Sequence, residues 1–566
     1  MTRRHRNGAN HGRTALRALQ RIVHEFTPDS ATAKLALLRT LSTARMHAAR
    51  DVLALHEALI FLRAYPDDAR VLAASERGLR RFAQRADLAR FRSQLENSGI
   101  ARTDITYRFY PPTASWLAQR FGRLLSIEWG DVDQAQLLER NLWLLLLWGE
   151  SGALDIEGVE LRERVRRLKG PRESDAEFLV RRIDALPMHV FARERFSEEL
   201  DLPMRLAAGA ATPSRTLARA PSVAPVFQTR PLRRARPDLA REIRRPPLAV
   251  RETSAREGGA FVRLAREAMV ARERDLEAFM HADERDVRVV ECGDGLQFAV
   301  MGVRPDRRLL LESVYGMLTI QNGVPIGYVL ASALFGSAEV AYNVFEAYRG
   351  AEAAHVYARA LATIRVLFGA DTFSVPPYQL GHENEEGLAS GAWWFYAKLG
   401  FRPRAAAALR LATHEIERAR RDPKYRSSKA KLRALVEGDM FFALGRERDD
   451  VLGTFPLSRV GAALSAYVAR RFGAERERAA HECAAEAARL LGVRAWQRLP
   501  RDERLAFERW APLVACLPGV ARWTEIDRRA LGRIACAKGA RREADAIALL
   551  DRHARARAAL RALVRG

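Results

Sequence analysis

Between residues 339 and 401 the hydrophobic and polar positions change period repeatedly. Val340, Tyr342 and Val344 alternate with Glu339, Ala341, Asn343 and Phe345, the two-residue period of a strand. Tyr348-Arg349-Gly350 then reads as a turn. Beyond it, Ala353, Tyr357, Leu361, Ile364 and Phe368 recur at three- and four-residue steps, which gives a helix one apolar face. Gly369 stands where such a helix ends. Phe373 and Val375 make a short second strand before Pro376-Pro377, and Leu388, Ala392, Phe395 and Leu399 share one face of a second helix closed by Gly400.

Elsewhere the pattern is largely helical. Leu16, Leu19 and Val23 start an amphipathic stretch, Asp29-Ser30 reads as the cap of a helix to about Met46, and Pro66-Asp67-Asp68 is a helix-start signal. Asn141–Trp148 is apolar after its first residue and predicts a buried helix. Residues 261–280 predict one helix. Two hairpins follow, one turning at Cys-Gly-Asp-Gly (292–295) and one at Asn322-Gly323, the strongest short turn signal in the chain. Residues 405–566 return to helical periodicity.

These shifts predict four regions: a helical N-terminal domain over 1–205, a Pro/Arg-rich linker over 206–256, a mixed α/β domain over 257–455 and a helical domain over 456–566. Within the linker, residues 211–256 hold seven prolines and eleven arginines against three acids, so an extended, solvated segment is expected. An arginine-rich arm on a nucleic acid or an acidic partner is the alternative.

Composition changes this picture little. A net charge of +25 invites a nucleic-acid reading, but only seven of the 94 basic residues are Lys, and acids are interspersed throughout. That uniform arginine bias favours no single binding surface. Cys292, Cys483, Cys516 and Cys536 form no Cys-x-x-Cys pair and predict reduced thiols in a cytoplasmic protein. The basic start, MTRRHRNGANHGRT, lacks the apolar core of a secretory signal and is expected to be a disordered tail. No run approaches the ~20 apolar residues of a membrane span. No metal site is expected, because His414-Glu415 and His481-Glu482 lack the second His that a zinc-protease helix needs.

The order and spacing over residues 287–405 resemble the GNAT acyltransferase superfamily. In that family a central strand ends in an Arg/Gln-x-x-Gly-x-Gly/Ala turn that holds the pyrophosphate of acyl-CoA, and a later helix carries a Tyr followed by Leu-Gly-Phe. Arg349 and Ala354 match the ends of the first motif, and Tyr396 with Leu399-Gly400-Phe401 matches the second. Glu352 occupies the middle glycine slot, and Ala389 stands where an Asn is frequent. The resemblance implies an α+β fold, a GNAT-like mixed sheet domain between helical regions. It implies acetyl-CoA or another acyl-CoA as co-substrate, held by Phe345, Arg349, Gly350, Ala351, Ala353 and Ala354. An amine would attack the thioester directly, with Glu339 as general base and Tyr396 protonating the departing thiolate. Asn343, His382 and Glu385 are substrate-side candidates. Each has a plainer reading: Tyr396 as core, Glu339 as a strand-end acid, and the 382–386 cluster as acids at a helix start. A non-catalytic GNAT-fold module and a nucleic-acid-associated protein remain the alternative functions.

Overall fold

The computed structural model of the chain describes residues 3–221 and 224–565, and side chains from residue 11 on. The chain forms two compact units. The first holds residues up to Pro231 with Arg263–His281 and Gln321–Pro325; the second holds Leu232–Val262, Ala282–Ile320 and Ile326 onward. Among the described residues no helix is long and apolar enough to cross a membrane.

The first unit is built on helices. Arg3–Ile22 is helical through the basic stretch expected to be disordered. Helix Pro28–Thr43 is capped by Thr27, whose hydroxyl accepts the Ser30 N–H at 3.1 Å, while the Ser30 hydroxyl accepts the Thr27 N–H at 2.9 Å. The cap lies two residues before the expected Asp29 because Pro28, which needs no N–H partner, takes the first helical position. Asp68 caps Ala69–Arg80 as its Pro-Asp-Asp signal predicts. Three short strands, β1 (Ile105–Tyr107), β2 (Leu125–Ile127) and β3 (Met204–Leu206), form an antiparallel sheet in the order β1-β3-β2. Three residues are too few for a two-residue period to stand out.

The buried helix expected at Asn141–Trp148 is absent. Helix Ala135–Asn141 passes into a 3₁₀ turn, Leu142–Leu145. A 3₁₀ turn puts only positions three apart on one side. Leu142 and Leu145 are therefore buried, whereas Trp143 and Leu147 are exposed and Trp148 is 95% exposed. The helix expected over 261–280 is likewise two helices, Ala255–Val270 and Glu277–Met280, with Glu273 at a left-handed φ of 52° between them.

The 206–256 stretch is not a solvated linker. In the first unit Thr216 is fully buried; its carbonyl accepts from Arg63 at 2.8 Å, and its hydroxyl bonds His56 Nε2 at 2.9 Å. In the second unit the stretch forms helix α1 (Leu239–Arg244) and strand β4 (Ala249–Glu252). Leu239 and Ile243 join the main core. Arg359, 1% exposed, donates to the carbonyls of Glu242, Arg245 and Pro246 at 2.8–3.0 Å, satisfying the carbonyl end of α1.

The second unit carries the main sheet. Strands β5 (Ala282–Gly293) and β6 (Leu296–Val303) turn at Asp294-Gly295, with φ of 53° and 79°. Strands β7 (Ser313–Gln321) and β8 (Val324–Leu334) turn at Asn322-Gly323, with φ of 48° and 79°. Both dipeptides adopt the left-handed pair that a two-residue hairpin requires. There follow β9 (Ser337–Val344), α2 (Ala353–Phe368), β10 (Thr372–Val375), α3 (Glu385–Ser390), α4 (Ala392–Lys398), β11 (Arg402–Pro403), α5 (Ala406–Arg421), α6 (Lys429–Leu435) and β12 (Met440–Ala443). The nine strands lie in the order β11-β12-β10-β9-β8-β7-β6-β5-β4. β9 and β10 run parallel, joined by α2, while β8 with β9 and β10 with β12 are antiparallel. Helix and sheet are thus mixed, an α+β chain.

The C-terminal helices belong to this same unit through a buried polar junction. Lys538, 3% exposed, pairs with the fully buried Glu543 at 2.6 Å and donates to the carbonyls of Leu311 and Glu312. Glu543 opens helix α7 (Glu543–Arg552), whose Ala544 N–H donates to the Tyr315 hydroxyl; that hydroxyl donates to Asp286 at 2.7 Å. Removing one partner of a buried pair leaves the other uncompensated. Lys538→Met is therefore expected to lower unfolding stability by about 3–5 kcal/mol in urea titration, and Lys538→Met with Glu543→Leu to recover most of that loss.

Candidate functional site

The site follows from where β9 and β10 part. β10 pairs with β9 only through Thr372–Ser374, opposite Ser337–Glu339. It ends at Val375 because Pro376 and Pro377 have no N–H to give a ladder. β9 runs on to Val344, so its last residues face a gap on that side. The side chain of Gln379 fills it. Its Oε1 accepts the Tyr342 backbone N–H at 3.2 Å and the Tyr396 hydroxyl at 3.4 Å. The Tyr342 hydroxyl donates to the Ala353 carbonyl at 3.1 Å, tying the strand to the first turn of α2.

Aromatic rings close this end of the core. Tyr357 lies 5.1 Å from Tyr342 and 5.6 Å edge-on from Tyr396, which also packs on Phe395 and Phe401. Tyr396 is buried, and burial pushes its phenol above the ordinary value, so it is protonated at neutral pH.

The loop from β9 to α2 carries the residues matched to a pyrophosphate turn. Phe345 is buried and its N–H donates to the Ile326 carbonyl. Glu346–Tyr348 is a 3₁₀ turn, Gly350 has a φ of 85°, and Ala351 is buried. Ala353 and Ala354 begin α2, where the first N–H groups have no acceptor inside the helix. Arg349 is exposed and pairs with Glu386 at 2.8 Å. The Glu352 carboxylate accepts the backbone N–H of Arg233 at 2.9 Å, and the Arg233 guanidinium meets His355 and Asp294. Burial raises the Glu352 carboxyl; burial, then Arg233, lowers His355 to about 4.

Glu339 sits on the sheet face opposite Tyr342, three residues or about 10 Å along the strand. Its register neighbours are Ser332 on β8 and Ser374 on β10. Burial, then the carboxylates of Asp439 and Glu312, raises it to about 7, the range of a proton acceptor poised for neutral pH. Asn343 shares this face, opposite Tyr328. Gly327 beside it is needed for close approach: a Cβ there would lie 2.4 Å from the Asn343 carbonyl oxygen.

The structure therefore brings Tyr396, Tyr342 and the start of α2 to one gap, and leaves other candidates apart. His382 is exposed, and Glu385 makes surface pairs with Lys429 and Arg433 at 2.8 and 3.3 Å. Gln379, Arg233 and Asp439 went unnoticed in the sequence. Gln379 follows two prolines with no period around it, and Arg233 lies about 120 residues before the carboxylate it meets. No family model matches this chain, and no curated protein or solved structure matches it either.

Because folding raises the Glu339 carboxyl from 4.5 to about 7, the folded chain keeps a proton that the unfolded chain has released between those values. Stability attached to this group is full below pH 4.5 and is lost as pH rises through 7. Glu339→Gln is expected to remove that slope, so that the variant exceeds the wild type above pH 7 by roughly 1–3 kcal/mol. Urea titrations from pH 4.5 to 8 read it.

Proposed function

We propose that the chain is a GNAT-like acyltransferase of the cytoplasm that moves an acyl group from an acyl-CoA, acetyl-CoA in the simplest case, to an amine. One observation carries this reading: a parallel pair that parts beside a buried tyrosine hydroxyl, with a helix N-terminus following the longer strand. The gap has the form that would take the extended arm of an acyl-CoA as a pseudo-strand. The first turn of α2, behind Gly350, Ala353 and Ala354, suits its phosphates. The free thiols fit a reducing compartment.

In this reading the ligand displaces Gln379 and frees the Tyr342 N–H to hold the thioester carbonyl oxygen. The amine nitrogen attacks the carbonyl carbon, and its proton passes through water to Glu339 on the other face of β9. As the C–S bond breaks, the sulfur leaves with the electron pair and receives the proton of Tyr396, giving an amide and CoA. The side chain of Gln379 in the gap also favours a second reading, a non-catalytic module that keeps the fold with its slot closed.

Calorimetric titration of acetyl-CoA into the full chain, with thiol release measured over a panel of amines, separates the two. Micromolar binding and turnover are expected. Tyr396→Phe should lower kcat about 10²-fold with Kd unchanged. The rate should rise with pH through about 7 in the wild type and lose that rise in Glu339→Gln. Binding by Gln379→Ala alone would favour the closed module. If neither protein binds at about 1 mM, both readings of the gap fail.

A further inference from the structure

A second concavity lies against the outer side of α4, between the start of α1 and α5 with its following turn. It holds about 1240 Å³, above the ~300–1,000 Å³ usual for small-molecule sites. Its wall carries Arg236, Lys398, Arg402, Arg420 and Arg426. The carboxylate among the lining residues, Asp238, is already engaged as the cap of α1, accepting the Arg241 N–H at 3.1 Å.

Elsewhere in the second unit arginines meet carboxylates: Arg448 meets Asp371 and Asp450, and Arg557 meets Asp450. Among the described residues none of the five cavity cations has an ion-pair partner. Two are held by backbone instead. Arg402 donates to the carbonyls of Ala397 and Phe401 at 2.8 and 2.7 Å, and Arg426 donates to those of Pro423 and Tyr425 at 3.0 and 2.7 Å. The charges also crowd one another. Partial desolvation, then Arg236 and Arg426, pulls the Lys398 amine below its ordinary value; desolvation, then Arg420, does the same to Arg402. A cluster of five like charges facing a single lining carboxylate is stabilised by an added anion.

The rest of the lining is mixed, with Ser390 and Ser427 beside apolar and aromatic side chains, and Lys398 Nζ lies 5.5 Å from the Trp394 ring centroid. Trp394, Phe395, Tyr425 and Phe442 contribute rings. Tyr425 is fixed from behind by the fully buried Glu415, which accepts its hydroxyl at 2.6 Å, the Ser427 hydroxyl at 2.5 Å and Lys431 Nζ at 2.6 Å. Aromatic faces beside cations suit a planar base. One phosphate, about −2, would leave most of the five charges unmatched; two or more would match most of them.

We propose that this cavity binds a nucleotide: a small ligand with at least two phosphates on an aromatic base. A polymer is disfavoured because the cations converge on one concavity and do not form a stripe. The same chemistry has two sources, a free nucleotide or the nucleotide end of an acyl-CoA, since Ala354 of α2 also lines the cavity. Only the second source rests on the acyl-transfer reading.

The test is calorimetric titration of ADP, 3′,5′-ADP and adenosine into the full chain, wild type beside Lys398→Gln with Arg426→Gln. Both side chains are exposed, so folding should be kept and is checked by the thermal midpoint. At least one nucleotide should bind, adenosine about tenfold or more weakly, and the double variant should lose about tenfold or more in affinity. If the double variant unfolds, the exposed Arg420→Gln alone should weaken binding. Displacement of 3′,5′-ADP by acetyl-CoA assigns the site to the donor's nucleotide end; its absence assigns a free nucleotide. Nucleotide binding without acyl transfer leaves this inference standing while the acyl-transfer reading falls. No nucleotide binding at about 1 mM, unchanged affinity in a folded variant, or binding of single-stranded RNA alone overturns it.

Discussion

Two parallel strands cannot be joined by a tight turn; the chain must cross over, and a helix is the compact way to do it. That constraint places everything of interest in the second unit. Because β10 runs beside β9 in the same direction, α2 has to begin where β9 ends, so a helix N-terminus arrives at the end of a central strand without any residue being chosen for it. Because two prolines stop β10 after four residues, β9 outlasts its partner and leaves backbone groups to be satisfied by something else. A slot, a positive helix end and an adjacent tyrosine follow from strand direction and one unequal length.

The large positive charge is partly structural. Several guanidiniums face backbone carbonyls beside or in place of carboxylates. Arg359 satisfies three at the end of α1; Arg308 takes those of Lys538, Ala540 and Arg541; Arg448 takes those of Phe335 and Gly336 besides its acids. An arginine used this way gives up to five N–H bonds and adds a full charge without requiring an acid. A net charge of +25 therefore overstates the positive surface available to a polyanion. It also explains why the cavity beside α4 stands out, since its cations converge on open space.

Local patterns were legible where local forces decide structure. Asn322-Gly323 and Asp294-Gly295 turn as their left-handed preference dictates, and the alternation of 339–345 and the helical face of 353–368 appear where their periods place them. The misreading of the linker comes from long-range partners. Residues 211–256 lack hydrophobic period, yet Arg359 and Arg63, each more than 100 positions away, organise them through carbonyls that no side-chain pattern records. Asn141–Trp148 has a helical composition but too little helix beneath it, so a 3₁₀ turn leaves Trp148 in solvent. Tyr396 was legible as a residue; Gln379, which gives its hydroxyl a partner, was not.

The polar groups of the gap are satisfied by the chain itself. Gln379 takes the Tyr342 N–H and the Tyr396 hydroxyl, and Glu352, at the position where a glycine was expected, turns its carboxylate to the Arg233 N–H. A ligand entering here must displace an amide oxygen and pass a carboxylate. Its apparent affinity is then reduced by the fraction of molecules in which the side chain has withdrawn. One amide bonded at 3.2 and 3.4 Å is a weak latch, because both bonds are long and one rotation of a flexible side chain breaks them together. The Glu352 tie is firmer at 2.9 Å, and it leaves the first N–H groups of α2 without a carboxylate from their own cap position. Self-satisfaction of this kind keeps buried polar groups from being orphaned while leaving them recoverable, which a permanently filled core would not.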